Sequence, residues 1–188
     1  APDRRVALLD VDYSFSDKNV MLRGVTTSAE AKNVLLKELA RKGYAVMDCL
    51  ELLPDVKGLE GKTCGIINVS VANMRVAPDF SSEMMTQSLM GMPVRVLQRD
   101  GWVRIQTPDN YIAWVHRVGV HPVTEEEMAA WNKAEKIVVT AHYGFVYSEP
   151  NQTSQTVSDV VAGNRLKWEG SKGAFYKVTY PDGRRGYI

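Results

Sequence analysis

The sequence is poor in the residue types that build reactive or metal-bound centres. Only two cysteines, Cys49 and Cys64, and three histidines, His116, His121 and His142, occur in 188 residues. The cysteine separation matches no zinc or redox spacing, which needs a CxxC or a nearby His pair. The expectation is two buried thiols, neither of them a nucleophile, with a disulfide as the lesser alternative. The histidines fit no common metal spacing and have no acidic partner beside them, so packing or surface roles are expected, and no metal or cofactor. Charge of one sign is also missing. The net charge is +1 and no run of Lys or Arg concentrates a field, which argues against a nucleic-acid partner. Long apolar runs are absent too, since RRVALLDV near the start is too brief and too charged to span a bilayer. No leader is visible in the opening APDRR, which without an initiator Met reads as a mature or trimmed start.

What is present suits a folded, soluble chain: 45% apolar residues are enough for a packed core, and 24% charged residues argue against disorder. The length admits one domain or two to three modules of about 60 residues. Residues 1–65 read as an α/β unit. RRVALLDVDYSF and NVMLRGV predict strands joined by the polar turn SDKN. TTSAEAKNVLLKELARKG predicts an amphipathic helix with Thr27 and Glu30 as a capping box, Ala31, Val34, Leu35 and Leu39 as its apolar face, and Gly43 as its stop. YAVMDCLELLP predicts a third strand, completing a ββαβ unit that buries one helix face on a small sheet. Its pattern resembles the BON-type domains of bacterial envelope proteins; the competing reading is an appendage that packs against the rest of the chain.

From Ile66 the pattern changes to short strands broken by turns, and it occurs twice. INVSVANMRV, a loop at APDFSSE, MMTQSLMGMPVRVLQ, a turn at RDG, WVRIQT, a turn at PDN and YIAWV are followed, from Ile137, by IVVTAHYGFV, SEPNQTSQ, TVSDVVAGNRLKWEG, FYKVTY, a turn at PDG and RRGYI. Pro78 and Pro150, like Gly91 and Gly163, stand 72 residues apart, whereas Ile105 and Val178, Pro108 and Pro181, and Trp114 and Tyr187 stand 73 apart. One residue inserted in the turn containing EGSKG accounts for the change. A unit of about 50 residues with four or five strands is the size of a small β-barrel. Between the copies, TEEEMAAWNKAEK predicts a helix over residues 124–136, with Thr124 and Glu127 as a capping box and Met128 and Trp131 on its packing face. The expected organisation is therefore mainly β with an α+β start: the unit at 1–65, barrels at 66–123 and 137–188, and a rigid helical linker.

The two copies resemble bacterial SH3-like domains. The shared features are the loop starting at Ala77-Pro78 or Glu149-Pro150, the Gly before the next strand, the strand with an aromatic start at Trp102 or Phe175, and the closing pair Ala113-Trp114 or Gly186-Tyr187. VANMRVAPDFSSEMMTQSLMGMPVRVLQRDGWVRIQTPDNYIAWV is similar to the first of two such domains that precede the catalytic domain of NlpC-type cell-wall cysteine peptidases of the γ-D-glutamyl-L-diamino acid endopeptidase, or dipeptidyl-peptidase VI, kind. The family's catalytic DCSG-like stretch has no counterpart: Asp48-Cys49 continues as CLELL and lies ahead of the barrels, and Ile188 falls where a peptidase domain would begin. The resemblance thus implies a non-catalytic module exported to the periplasm or cell envelope, either the accessory part of such an enzyme, partnered by a catalytic peptidase domain, or a protein that has lost the enzyme.

Differences between the copies nominate sites. Val103 and Tyr176, Ile105 and Val178, and Val115 and Ile188 keep their character, as core residues should, while Glu83 and Gln155, Gln87 and Asp159, and Tyr111 and Arg184 do not. Tyr111 follows the PDN turn, where a ring at the barrel rim can hold an aliphatic or cationic group. By resemblance, Tyr111 helps bind the free amino end of a peptidoglycan stem peptide, L-Ala-γ-D-Glu, and Glu83 pairs with that amine, the chemistry that rejects a blocked end. The plainer alternative packs Tyr111 on Trp114 and leaves Glu83 solvated. Trp114 is read as sharing structural and binding roles, Trp102 as core or shelf, and Met84, Met85, Met90 and Met92 as barrel interior. A competing function is a protein-interaction or structural module, since SH3-like grooves also take Pro-rich peptides; an independent hydrolase is disfavoured by the missing catalytic residues.

Overall fold

The computed structural model describes residues 6–188 and shows a mainly β chain of three sheets and two α-helices. Arg4 and Arg5, expected at the head of the first strand, lie outside the described residues. Strand β1 (Leu9–Ser16) pairs antiparallel with β2 (Asn19–Thr26), and helix α1 (Ala29–Arg41) crosses to β3 (Ala45–Leu52), which runs parallel to β2. This is the expected ββαβ order, corrected in detail. Ser28, not Thr27, caps α1 by accepting from the Ala31 amide at 3.1 Å, because the Thr27 hydroxyl is taken by the Leu8 amide where the chain passes β1. Leu35, Leu36 and Leu39 cover Val20, Leu22 and Leu50, while Val34, expected on that face, is 55% exposed. Gly43 ends the helix at φ +82°: its amide donates to Ala40 and that of Tyr44 to Leu39, a pairing that needs a left-handed residue. Both cysteines are free thiols. Cys49 is exposed rather than buried, because β3 is an edge strand and Cys49 points to the face that α1 does not cover.

The INVSVANMRV run breaks at Asn68–Ser70 into β4 (Cys64–Ile67) and β5 (Val71–Arg75). They join β6 (Met84–Leu89), β7 (Pro93–Asp100), β8 (Trp102–Gln106), β9 (Ile112–His116) and β10 (Val120–Val123) in a seven-stranded sheet, order β10-β4-β7-β8-β9-β5-β6. Ile67, Met74, Val96, Ile105, Val115 and Val120 come from six of these strands and meet in one core, so the sheet curls round on itself. Helix α2 (Glu125–Lys133) carries the expected capping box of Thr124 and Glu127, and its Trp131 and Met128 pack on Ile66 and Val123. It stops three residues short of the expected end, at the start of the second sheet: β11 (Lys136–Val138), β12 (Tyr143–Tyr147), β13 (Thr156–Val161), β14 (Arg165–Lys172), β15 (Phe175–Thr179) and β16 (Arg185–Tyr187). Tyr176, expected in the core, is 52% exposed, since on β15 the second core stops at Val178.

The repeat extends to single hydrogen bonds. The Gly91 amide donates to Ile67 and the Gly163 amide to Val139, each at 2.8 Å; Ile67 donates to Met92 and Val139 to Asn164. Val76 donates to Glu83 at 3.0 Å and Ser148 to Gln155 at 2.8 Å, closing equivalent hairpin loops; Thr107 donates to Tyr111 at 3.0 Å and Tyr180 to Arg184 at 2.8 Å.

The two barrels are sewn together. Met90, at the β6–β7 turn of the first, is buried in the core of the second with Val146, Leu166 and Tyr180. Gly91 beside it has φ +84°, and a Cβ there would lie 2.3 Å from the Arg165 carbonyl, so only glycine admits this approach. The Trp131 indole donates to Gly91 at 3.2 Å, Asn164 to the Ser70 carbonyl at 2.8 Å, the Ser70 hydroxyl to Asp159 at 2.6 Å and Asn68 to Asp182 at 2.9 Å. Burial raises the Asp182 carboxyl, but bonds from Asn68 and from the backbone and guanidinium of Arg184 outweigh it and hold the group below the usual carboxylate value. Two outcomes follow from this seam. Met90→Ala should lower stability in urea unfolding by about 2–5 kcal/mol, although Met90 is a turn residue of the other barrel. A depressed folded-state carboxylate contributes stability above its unfolded value of about 3.9 and loses it on acidification; the destabilisation by Asp182→Asn should therefore be largest above about pH 4 and shrink below it.

Candidate functional site

One cleft, of ≈ 730 Å³, lies where the N-terminal sheet meets the first barrel. Its barrel wall is built by two loop ends. The β5–β6 loop is tied by the Val76–Glu83 backbone bond, by the Ser82 hydroxyl accepting from Ala77 at 2.9 Å and by the Asp79 carboxylate accepting from Ser81 at 2.7 Å. This brings Glu83 back to the rim, with its side chain exposed. Among the described residues no hydrogen bond or ion pair engages its carboxylate. The PDN turn is closed by Asn110 donating to Thr107 at 2.9 Å, with Pro108 presetting the backbone and Asn110 at φ +70°. The Tyr111 amide donates to the Thr107 hydroxyl at 3.1 Å, which in turn donates to Asp109 in a short bond, so Tyr111 leaves the turn in a fixed direction.

Glu83, Tyr111 and Trp114, separated by up to 31 positions in the chain, all line this cleft. Tyr111 is half-buried, and Trp114, only 7% exposed, forms the wall. The guanidinium of Arg104 stacks over Trp114, 4.5 Å from the ring centre. Burial pushes the Arg104 pKa below its ordinary value, and the Asp10 charge pulls it partly back. The sequence reading missed Asp10, Arg104 and Asp109. Arg104 and Asp109 carried a faint signal, as a charged outward position between Val103 and Ile105 and as the middle of the PDN turn. Leu8 and Asp10 carried none. They reach the cleft because Leu8, Val25 and Leu53 pack on Leu97 and Ile112, and Leu97 is available because a bulge between Val96 and Gln98 turns it outward.

The remaining candidates lie elsewhere. His116 stacks with Phe80 and Trp102 at ring distances of 5.1 and 5.3 Å, His121 pairs with Ile66 between β10 and β4, and His142 is exposed before β12. Of the methionines, Met85 and Met92 pack on the first core and Met90 enters the second. Met84, expected inside, is 49% exposed on the cleft because β6 is an edge strand with a bulge beside it. The positions matching Tyr111 and Gln87 in the second copy are occupied differently. Arg184 bonds Asp182 at 2.7 Å and stacks on Tyr180, and Asp159 accepts from Ser70, so both serve the seam.

Comparison with known proteins agrees with this architecture. Residues 74–118 match the bacterial dipeptidyl-peptidase Sh3 domain and residues 142–188 the bacterial SH3 domain. The chain carries two bacterial SH3 domains. Among solved structures it is similar to an NlpC/P60 family protein from Bacillus cereus ATCC 10987, at 20% identity and a TM-score of 0.54 over 66% of this chain and 53% of that one. It is also similar to an NlpC/P60 endopeptidase from Photobacterium damselae subsp. piscicida, at 14% identity and a TM-score of 0.50 over 87% of this chain and 37% of that one. The chain thus spans about half the length of the first and little more than a third of the second. No curated protein matches it. Among the described residues no helix is long and apolar enough to cross a membrane.

Because Trp114 supports both Arg104 and the cleft wall, Trp114→Ala should lower stability by about 3–5 kcal/mol in thermal or urea unfolding. Glu83→Gln, at an exposed rim where no described residue engages the carboxylate, should shift the midpoint little.

Proposed function

We propose that this chain is an accessory module of a bacterial cell-wall peptidase, working in the envelope, and that its first barrel selects peptidoglycan stem peptides with a free amino end. The observation that carries the reading is the convergence of Glu83, Tyr111 and Trp114 on one cleft. An ammonium group entering there meets the Glu83 carboxylate, which no described residue engages, while the Tyr111 ring and Trp114 wall offer apolar surface to the alanine methyl. Acetylation removes the charge and leaves one weak N–H donor of three, so discrimination comes from what a blocked peptide fails to satisfy. The module binds; peptide cleavage belongs to a separate catalytic domain.

A second reading, a docking module for Pro-rich protein segments, draws on the ring group of Phe80, Trp102 and His116 on the first barrel, where Phe80 is 67% exposed. Titration calorimetry separates the two. L-Ala-γ-D-Glu-L-Lys should bind about tenfold or more tightly than its Nα-acetyl form, and Glu83→Gln should abolish that preference. Equal affinities for the two peptides would sink the stem-peptide reading, and loss of envelope-protein capture on Phe80→Ala would favour the other.

A further inference from the structure

We infer that the outer edge of β11, with the opening between Val138, Trp168 and Tyr176, is a docking site for an extended strand of a separate polypeptide, added antiparallel with a small residue facing Val139. The inference is independent of the stem-peptide reading, because none of these residues lines the cleft of the first barrel.

The first copy shows what such a site holds. Strands β4 and β11 occupy the same place in the two barrels: Cys64 pairs with Arg95 and Ile66 with Pro93, as Lys136 pairs with Lys167 and Val138 with Arg165, every residue shifted by 72 positions. Beyond β4 the first sheet adds β10, antiparallel, with Val120 opposite Ile67 and Val123 opposite Cys64. Val120 enters the core beside Val96, and Val123 packs on Ile66. Among the described residues no strand pairs with the outer edge of β11. The Val139 amide donates to Asn164 on the β14 side, so the alternation of backbone groups turns the amides and carbonyls of Lys136 and Val138 toward that free edge.

The side chains differ accordingly. Ile66, Val96 and Val103 are at most 2% exposed, whereas Val138, Trp168 and Tyr176 at the matching positions are 55%, 39% and 52% exposed. With Glu135, Lys136 and Ile137 they border an open cleft of ≈ 580 Å³. A row of main-chain donors and acceptors beside apolar surface is matched by a strand, which pairs with the first and covers the second; a compact ligand does only one of these.

Ile137 sets the composition of that strand. Its counterpart in the first copy, Gly65, leaves space for Val120: a Cβ there would lie 2.7 Å from Cγ1 of Val120 and 2.9 Å from Cγ2 of Val96. In the second barrel the isoleucine takes up part of this space, so the residue entering opposite Val139 must be smaller than valine. The same point argues against a second copy as the occupant, since antiparallel pairing of two β11 strands would oppose Ile137 to another Ile137 or to Val139.

The probe is a peptide with the sequence of residues 116–123, HRVGVHPV, blocked at both ends and carrying alanine in place of Val120, added to the whole chain. Amide hydrogen exchange followed by NMR should slow at Val138 by about tenfold or more at saturating peptide, and the tryptophan emission should move to the blue as Trp168 is covered. The unaltered peptide should bind more weakly, and one with aspartate at the same place should not bind. Ile137→Gly, which restores the glycine of the first copy, should reverse the order of the alanine and valine peptides. Val138 exchange unchanged by millimolar alanine peptide, or slowed equally by the aspartate peptide, would overturn the docking site. A folded Ile137→Gly that keeps the wild-type order would overturn the size rule. Sedimentation showing a dimer that dissociates on Val138→Lys would assign the edge to a second copy and overturn the occupant. The wild-type titration decides the matter even if Ile137→Gly does not fold.

Discussion

The structure depends on backbone hydrogen bonds that close the barrel loops without help from the side chains at positions 83, 111, 155 and 184. Val76 to Glu83 and Thr107 to Tyr111 fix the two loop ends of the first barrel, and Ser148 to Gln155 and Tyr180 to Arg184 fix the same ends of the second. Because the main chain is satisfied in itself, the residues at positions 83 and 111 and their partners at 155 and 184 are free to change. A carboxylate and a phenol in one copy, an amide and a guanidinium in the other, sit on the same frame.

That freedom has been used for two ends. In the first barrel the loop ends open on a cleft that the N-terminal unit completes. The Leu97 bulge is the joint: it presents a buried leucine to Leu53 and Leu8, and the strand that follows Leu8 delivers Asp10 to the cleft. The unit is therefore more than an appendage, since one wall and one charge of the cleft come from it. In the second barrel Arg184, with Asp182 and Asp159, bonds to Asn68 and Ser70 at the seam, while Gln155 stays exposed. Divergence between copies marks a position released from the common fold; the use to which it is put depends on what faces it.

Much of this was legible in the chain itself. Two turns at PDN and PDG, two glycines at a constant offset and two capping boxes located the barrels and helices, because turns, left-handed residues and caps are local and stereochemical. The expectations that failed were about surroundings. Cys49, Val34, Met84 and Tyr176 have apolar character and were expected inside, yet Cys49 and Met84 stand on edge strands, Val34 on a helix flank, and Tyr176 on the interior strand β15 beyond the reach of the core. Alternation tells which residues share a face, but whether that face is covered depends on another element.

The same division holds for the candidate site. The sequence determined the loops that carry Glu83 and Tyr111 and the chemistry each brings, since both follow from short-range turn geometry and residue type. Tertiary structure alone decided that they share a cleft with Trp114, that Asp10 and Arg104 bring a further carboxylate and a cation to it, and that Arg184 of the second copy is held at the seam. Charges 94 residues apart in the chain, as Asp10 and Arg104 are, become neighbours only when two hydrophobic surfaces are buried together, and burial of that kind is set by the sum of many non-local contacts.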